Sequence, residues 1–304
     1  MLRAHPAQPE VLDLPPESLF ELPSDCSVLF APVQRAVHGH SLLRPERWPG
    51  ALAWIQLPSA GVDEYPAWLL DAPLVTSAQG TTAPAIAEFV LAMVLMREKQ
   101  IPALFARDEA GWPVKDERLT RSLGTLRGKR LGLIGMGAIG SAVTELAVPF
   151  GMHVVAARRS GTSPVDPRVT LAPLDDVLAA SDHLVVACPL TPETRGLLDD
   201  RAFAKLKRGA HLVNIARGAI VDPDALVRAL AADPALTATL DVTDPEPLPD
   251  GHALYANDRV RISPHLSFSS PRVMEGVVRL FVENVSRFAE GRPLLNVVDR
   301  ERGY

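Results

Sequence analysis

Three stretches of the sequence place reactive side chains directly after short apolar runs. Arg217 follows one such run in VNIARGAIVD, and His265 follows another in RISPHLS. In TLDVTDPEPLP, Asp241 ends an apolar run and Glu246 stands five residues later. Histidine exchanges protons near neutral pH, a neighbouring carboxylate stabilises its charged form, and arginine stays charged while it binds oxygen atoms. This set suits proton transfer to an oxygen on which negative charge develops.

Each of these side chains also has a purely structural interpretation. Arg217 is compatible with a surface charge, Glu246 with a solvated loop carboxylate, and His265 with a packed histidine. However, all three follow apolar runs of the kind that form buried strands. Ligands of open α/β sheets bind outside the carboxyl ends of the strands, so residues at three such ends can converge on one crevice. Their joint occurrence favours a functional site.

The elements that would position this site alternate regularly along the chain. Short apolar runs predict buried strands, and helix-like stretches lie between several of them. The predicted strands are Leu131–Gly135, His153–Ala157, Val169–Leu171, His183–Cys188, His211–Ile215, Thr237–Asp241 and Val260–Ser263. The predicted helices are Ile139–Phe150, Leu174–Ala180, Asp200–Leu206 and Asp222–Ala231. This alternation predicts an α/β domain with a doubly wound parallel sheet.

A glycine-rich turn joins the first of these strands to the first helix. In KRLGLIGMGAIG, Gly135, Gly137 and Gly140 have the GxGxxG spacing. The first glycine permits the tight turn, the second lets the backbone approach a pyrophosphate, and the third allows close packing of helix on strand. The N–H groups at the helix start, including those of Ala138 and Ile139, would face the phosphates. A tight turn without a ligand is the alternative, but the context favours a dinucleotide-binding Rossmann domain.

The end of the second strand determines which dinucleotide is expected. The motif predicts an acidic residue about twenty positions on, which would bind the ribose hydroxyls. Arg158 stands there instead, followed by Arg159 and Ser160. A guanidinium pairs with a 2′-phosphate, and the serine adds a hydroxyl donor, so the sequence predicts NADP, with NAD possible. A solvated charge pair is the alternative.

The two ends of the chain predict a second domain. Cys26–Ala31 and Ala53–Leu57 are typical of short buried strands, and Pro84–Gln100 of a long, mostly buried helix. A further helix is expected from Ser270-Pro271 to Glu290. The polar segment 107–127 is typical of a connection. We therefore predict that residues 1–97 and 272–304 form a smaller substrate-binding domain into which a dinucleotide-binding domain, 98–271, is inserted.

Composition excludes several classes of protein. The 304 residues are 47% hydrophobic and 22% charged, and the net charge of −5 argues against nucleic-acid binding. The most apolar helical stretch, Ile86–Met96, is too short to span a membrane and contains Glu88. Two distant cysteines fit a reducing, cytoplasmic compartment. His38 and His40 lack a third ligand nearby, so no metal is expected.

Over nearly its whole length the chain resembles the D-isomer-specific 2-hydroxyacid dehydrogenase family. The stretches that carry the resemblance keep the order and spacing of the family's motifs. They are LPSAGVDEY (57–65), APAIAEFVLAMVL (83–95), LRGKRLGLIGMGAIG (126–140), CPLTPETRGLL (188–198), VNIARGAIVD, LDVTDPEPLP, SPHLS and PLLNVVD (293–299). The resemblance implies a flavodoxin-like α/β fold for the smaller domain and a homodimer formed through the cofactor domain, with the helix Pro84–Gln100 near the contact.

The resemblance also implies roles for individual residues. Arg217 would bind the substrate carboxylate and polarise the carbonyl, His265 would be the general acid and base, and Glu246 its carboxylate partner. The backbone of Ser59, Ala60 and Gly61 would receive the substrate carboxylate. Asp241 would lie near the nicotinamide amide. The remaining positions expected to contact the cofactor are Cys188, Pro189, Thr194, Ile215, Ala216 and Ser267.

The activity expected from these positions is reduction of a small 2-keto acid, such as glyoxylate or hydroxypyruvate, to a D-2-hydroxy acid with NADPH. One alternative is an NAD-dependent dehydrogenase of the phosphoglycerate type, which the end of the sequence at Tyr304 disfavours. Formate dehydrogenase chemistry needs no carboxylate-paired proton donor, so Glu246 argues against it. A dinucleotide-sensing protein like the C-terminal-binding-protein corepressors keeps the same three residues, and the acidic composition argues against it.

Overall fold

The computed structural model describes residues 1–14, 22–31, 44–63, 65–101, 105, 122–159 and 166–303. Ser160, the histidines at 38 and 40 and most of the predicted connection at 107–127 lie outside these ranges. The chain divides into two compact units. Met1–Thr82 and Ser270–Tyr304 form the first unit, and Ala83–Ser269 forms the second. The first unit is therefore assembled from both ends of the chain, and the second is continuous.

The described residues contain ten strands and seven α-helices. The strands are β1 (Val28–Phe30), β2 (Trp54–Gln56), β3 (Val75–Thr76), β4 (Arg130–Ile134), β5 (His153–Ala157), β6 (Val169–Leu171), β7 (His183–Val186), β8 (His211–Asn214), β9 (Thr237–Leu240) and β10 (Val260–Ile262). The helices are α1 (Ala83–Lys99), α2 (Ala138–Ala147), α3 (Leu174–Ala180), α4 (Asp200–Lys205), α5 (Pro223–Ala232), α6 (Ala253–Ala256) and α7 (Val273–Ala289). Short 3₁₀ turns include Ala67–Asp71, Val148–Phe150 and Gly218–Ile220.

The first unit contains a three-stranded parallel sheet in the order β1-β2-β3. Helix α7 packs against it, with the ring of Phe281 4.8 Å from that of Phe30 and 5.3 Å from that of Trp54. The buried Asn284 of α7 donates to the Gln56 Oε1 and to the Leu295 carbonyl. The C-terminal segment thus completes both the apolar core and the buried hydrogen bonds of a sheet whose strands come from the N-terminal segment.

The second unit is a seven-stranded sheet in the order β10-β9-β8-β7-β4-β5-β6. Every neighbouring pair is parallel. Strand order reverses at β4, since β5 and β6 lie to one side and β7 to β10 to the other. Crevices for ligands form at such a reversal, outside the carboxyl ends of the strands. All seven strands lie where the apolar runs of the sequence predict them, and the predicted α/β doubly wound fold is confirmed.

Helices cover both faces of this sheet. Successive strand residues point to opposite faces, so Leu131 and Leu133 pack into one core and Ile134 into the other. Helices α1 and α2 supply the first of these cores, which contains Val90 and Val143. Helices α3 to α6 supply the second. Burial on both faces explains why these strands read as unbroken apolar runs in the sequence.

Helix α1 belongs to the second unit. The prediction placed residues up to 97 in the other domain, whereas the second unit begins at Ala83. The reason lies in packing: Ile86, Val90 and Val94 of α1 share a core with Val143 and the inner residues of β4. A helix that is apolar over most of its surface does not reveal from sequence which domain it covers.

A buried polar cluster lies beneath the end of α1, at the amino ends of the strands. Glu98 is 5% exposed, and its Oε1 lies 2.8 Å from the Lys129 ammonium and 3.3 Å from the His183 Nε2. The Nδ1 atoms of His183 and His211 are 3.3 Å apart, and the His211 Nε2 lies 2.9 Å from the Thr239 hydroxyl. Despite burial, contacts from His183 and Lys129 lower the pKa of Glu98 to about 2. This chain of polar contacts links helix α1 to three neighbouring strands.

Within the described ranges, no helix has both the length and the apolar character needed to cross a membrane.

Candidate active site

The glycine-rich turn between β4 and α2 has the geometry that the sequence predicts. Gly135 has φ +102°, in the region that favours glycine, and a Cβ there would lie 2.8 Å from the backbone of Ala187 and Cys188. A Cβ at Gly140 would lie 2.7 Å from the Gly135 carbonyl oxygen. A Cβ at Gly137 would meet nothing within 4 Å. The outer two glycines therefore close the turn, and the space beside the middle one is open for a ligand.

Helix α2 presents its amino end at this turn. Gly137 and Ala138 are exposed, and the first bond of the helix runs from the Ser141 N–H to the Gly137 carbonyl at 2.9 Å. The first N–H groups of a helix have no acceptor within it, and they carry the positive end of the helix dipole. An anionic phosphate fits this position by charge and by hydrogen bonding.

Arg158 and Arg159 lie directly after β5, where the ribose-reading residue was predicted. Arg158 is partly exposed and Arg159 is exposed. The Arg159 Nη1 lies 3.1 Å from the Glu193 Oε2. Both residues thus follow the strand next to the glycine-rich turn, and their role in binding the ribose stays a prediction.

The loop after β7 forms the opposite side of the same crevice. It begins at Ala187 and Cys188, whose backbone abuts Gly135. The Thr194 hydroxyl donates to the Pro189 carbonyl and accepts from the Thr191 N–H, each at 2.7 Å. Burial raises the pKa of the Cys188 thiol to about 11. The loop is therefore fixed by its own hydrogen bonds, and its cysteine is a neutral thiol.

Arg217 lies in a turn that Asn214 organises. The Asn214 amide donates to the Arg217 carbonyl at 3.0 Å and accepts from the Ala216 N–H at 3.1 Å. At the next position, a Cβ on Gly218 would lie 1.9 Å from the backbone carbon of Thr243. Only glycine permits this approach, which sets the Arg217 turn against the loop that carries Glu246.

His265 and Glu246 form a hydrogen-bonded pair. The His265 Nδ1 lies 2.8 Å from the Glu246 Oε1, and the histidine side chain is 26% exposed. The Phe268 ring lies edge-on to the imidazole, 5.9 Å away. Because the carboxylate holds Nδ1, the Nε2 edge of the ring is left for another partner. This is the arrangement of a proton donor that is oriented by a carboxylate.

Asp241 is the structural centre of the loop that carries His265. It is 1% exposed, and its Oδ1 accepts from the Ser263 hydroxyl at 2.6 Å and from the Leu266 N–H at 2.9 Å. Its Oδ2 accepts from the Ser267 N–H at 3.0 Å, and its carbonyl accepts from the His265 N–H at 2.9 Å. His265 itself has φ +53°, a conformation that few non-glycine residues adopt. The four bonds hold it there.

A cavity of about 570 Å³ adjoins the hydrogen-bonded pair of His265 and Glu246. Its lining includes Asp241, Glu246 and His265 together with apolar side chains such as Leu254 and Ile262. This cavity therefore combines a few polar groups with an apolar wall.

The predicted substrate loop lies in the first unit, directly after β2. The Ser59 hydroxyl donates to the Gly61 carbonyl at 2.7 Å, and the Ser59 carbonyl accepts from the Ala78 N–H at 2.8 Å. Ala60 and Gly61 are partly exposed. The loop is thus ordered by its own contacts, and its role in binding substrate stays a prediction.

Sequence reasoning did not identify several residues that position this site. Asn214 fixes the Arg217 turn, Ser263 bonds Asp241, and Thr191 bonds Glu193, which in turn contacts Arg159. A usable signal was present, since Asn, Ser and Thr beside strand ends commonly bond neighbouring backbone groups. Such residues do not reveal their partners before the loops are placed.

The model of the NAD-binding domain of D-isomer specific 2-hydroxyacid dehydrogenases matches residues 91–267, which is more than half of the chain. The chain belongs to this family. A glyoxylate reductase from Aeropyrum pernix is 36% identical to this chain, and the match covers 75% of this chain and 70% of that relative. The range 91–267 that the family model matches contains the glycine-rich turn, both arginines and the three predicted catalytic residues.

Solved structures show the same relationship for the fold. A D-isomer specific 2-hydroxyacid dehydrogenase from Xanthobacter autotrophicus, in complex with NADPH and MES, is 30% identical and aligns with a TM-score of 0.73, covering 91% of this chain and 99% of that one. An NADPH-dependent glyoxylate/hydroxypyruvate reductase from Sinorhizobium meliloti, in complex with NADP and sulfate, is 27% identical with a TM-score of 0.70, covering 84% and 81%. The protein is an NAD(P)-dependent oxidoreductase that transfers a hydride between a nicotinamide cofactor and a 2-hydroxy or 2-keto acid.

Proposed function

We propose that the dehydrogenase reduces a small 2-keto acid, such as glyoxylate or hydroxypyruvate, with NADPH as the preferred cofactor. The observation that carries the reaction is the 2.8 Å contact between His265 and Glu246 at the carboxyl end of the sheet. Relatives named glyoxylate reductase from Aeropyrum pernix and Thermofilum pendens support the substrate class.

His265 would supply the proton of this reaction. When bound, the reduced nicotinamide supplies a hydride to the keto carbon, and the carbonyl oxygen then needs a proton. The imidazole would give that proton from Nε2, and Glu246 on Nδ1 would stabilise the positive charge of the ring before transfer. Asp241 would keep the ring in place through the loop bonds described above.

Arg217 would bind the substrate. Its guanidinium stays charged at every relevant pH, and it can contact both a carboxylate oxygen and the carbonyl oxygen. There it would counter the negative charge that develops on the carbonyl oxygen. Backbone N–H groups of Ser59, Ala60 and Gly61 are proposed as the second contact for the substrate carboxylate.

The NADPH preference rests on Arg158 and Arg159. Ordinary NAD-binding sites place a carboxylate at this position, where it bonds the ribose hydroxyls and repels a 2′-phosphate. Two arginines give the opposite preference. The open space beside Gly137 and the exposed amino end of α2 suit the pyrophosphate of either cofactor.

A screen of 2-keto acids with both cofactors tests the proposal. We expect the highest kcat/KM with a small keto acid and NADPH, measured from the loss of absorbance of the reduced nicotinamide. Inactivity over a broad panel would favour a dinucleotide-sensing protein instead. Higher kcat/KM with NADH would contradict the cofactor preference alone.

We also propose a cytoplasmic homodimer. Both cysteines are free thiols, which suits a reducing compartment. The family resemblance supports a dimer formed through the second unit near α1. Sedimentation of the purified protein tests this assembly, and a monomer at micromolar concentration would contradict it.

A further inference from the structure

The contact between Arg159 and Glu193 joins two loops that leave different strands. Arg159 follows β5 and Glu193 lies in the loop after β7, while β4 lies between these strands in the sheet. All three strands are parallel, so both loops leave the same edge. The 3.1 Å contact therefore crosses the end of β4, beside the glycine-rich turn. It connects the two sides of the crevice in which the adenosine half of a dinucleotide is expected.

Glu193 is held in this position from its own loop. Its Oε2 accepts from the Thr191 hydroxyl at 2.7 Å, and Thr191 is itself buried at 8% exposure. The Thr191 N–H in turn bonds the Thr194 hydroxyl at 2.7 Å. The hydrogen bond from Thr191 and the nearby Arg159 lower the pKa of the Glu193 carboxyl, so it is ionised at neutral pH. The carboxylate is thus a fixed negative charge beside an arginine that was predicted to bind phosphate.

From this geometry we infer that Glu193 shifts cofactor specificity: it opposes NADP by competing with the 2′-phosphate for Arg159. The inference builds on the proposed binding of the ribose at Arg158 and Arg159. A phosphate that reaches Arg159 must displace a carboxylate or accept one as a neighbour, and like charges close together repel. NAD carries a neutral hydroxyl at this place, and a carboxylate can accept a hydrogen bond from it.

Glu193 would therefore supply, from the loop after β7, the carboxylate that most NAD-binding sites place at the end of β5. The ribose site would contain both a cationic residue, Arg159, and an anionic residue, Glu193, in contact with the 2′ position. Such a site binds both cofactors, and the balance between these two residues sets the preference for NADPH or NADH.

The variant Glu193→Gln tests this inference. Its amide oxygen still accepts the bond from Thr191, so the loop keeps its anchor, but the negative charge is gone. We expect the Kd of NADPH to fall about 1.4- to fivefold, the range known for single exposed charge pairs, while the Kd of NADH does not fall. Both constants are measured by fluorescence of the bound reduced nicotinamide. The effect on NADPH should shrink at high salt.

A matched control is Asp200→Asn. Asp200 is also an exposed carboxylate paired with an arginine, at 2.8 Å from Arg228. Asp200 lies in α4, and the substitution Asp200→Asn changes the net charge of the protein by the same amount as Glu193→Gln. Its cofactor affinities should equal those of the wild type. If both variants tighten NADPH equally, the effect comes from net charge and the inference fails.

A second control tests the competition for Arg159 directly. In an Arg159→Gln background, the substitution Glu193→Gln should tighten NADPH less than it does in the wild-type background. An unchanged ratio of the two dissociation constants in Glu193→Gln alone, or weaker NADPH binding, would overturn the inference.

The inference and the proposed NADPH preference fail separately. The preference is read from the ratio of affinities in the wild type, and the inference from the change in that ratio in Glu193→Gln. A wild type that prefers NADH contradicts the proposed NADPH preference. If the Glu193→Gln substitution then moves the ratio of affinities toward NADPH, the inference about Glu193 is supported.

Discussion

The buried His211 makes the stability of the second unit sensitive to mild acid. Burial and the neighbouring His183 and Arg97 lower the pKa of His211 from its ordinary 6.5 to about 3. Arg261 acts in the same direction and Glu98 in the opposite one. The pKa of His211 is lower in the folded protein than in the unfolded chain. Between these two pKa values the unfolded chain therefore binds more protons than the folded protein. The free energy of unfolding therefore falls as the pH falls below 6.5.

The size of this loss follows from the shift. Within the window the slope approaches about 1.4 kcal/mol per pH unit. Because the unfolded histidine is only partly protonated near its ordinary pKa, lowering the pH from 7 to 5 removes about 2 kcal/mol. Glu98 has the same sign but a lower window, from its ordinary 4.5 down to about 2. The loss between pH 7 and 5 is therefore assigned to the histidine.

The perturbation is His211→Gln, whose amide can still reach the Thr239 hydroxyl but does not titrate. We expect the wild type to lose about 2 kcal/mol more than the variant between pH 7 and 5. Urea unfolding followed by circular dichroism gives the free energies, and hydrogen exchange of the β7 and β8 amides localises them to this sheet. The control is His153→Gln, which removes an exposed histidine at the start of β5. If His211→Gln has the same pH dependence as the wild type, the reasoning is wrong.

Further predictions concern the crevice. His265→Ala should lower kcat by about 10²- to 10⁴-fold with little change in the Kd of NADPH, and equal turnover would contradict the acid–base role. Arg158→Asp should raise the KM of NADPH about tenfold or more relative to that of NADH, because a charged hydrogen-bond partner is replaced by a repelling charge. Asp241→Asn should lower the free energy of unfolding by about 1–3 kcal/mol in urea titrations, because an amide NH₂ then faces an N–H or O–H donor. If this variant is as stable as the wild type, the three hydrogen bonds to the Asp241 carboxylate do not contribute to stability.

Much of the second unit could be predicted from its sequence. Strands buried on both faces appear as short apolar runs, and β4 to β10 lie within a few residues of the predicted bounds. The glycine-rich turn could also be predicted from its spacing, although only Gly140 is required by a neighbour in sequence, whereas Gly135 is required by the loop after β7. Residues at the carboxyl ends of parallel strands share one edge, so the grouping of Glu246 and His265 followed from topology.

Contacts between distant loops were beyond such reasoning. Glu193 stands in TPET, which is compatible with any polar loop, and its approach to Arg159 depends on how two loops cross β4. The burial of Glu98 likewise requires a lysine and a histidine from other elements. Strand β3 was missed because it has only two residues, Val75 and Thr76, which is too short for a pattern.

The two-part origin of the first unit has a consequence for biosynthesis. Its sheet comes from residues before the second unit, but Phe281 and Asn284, which pack against that sheet, are translated only after the whole second unit. The second unit is continuous, so it can fold while the rest is still being made. The N-terminal strands are expected to stay incomplete on the ribosome until the C-terminal helix emerges. During that interval Phe30 and Trp54 lack the ring of Phe281, and a premature stop before residue 273 would remove this contact permanently.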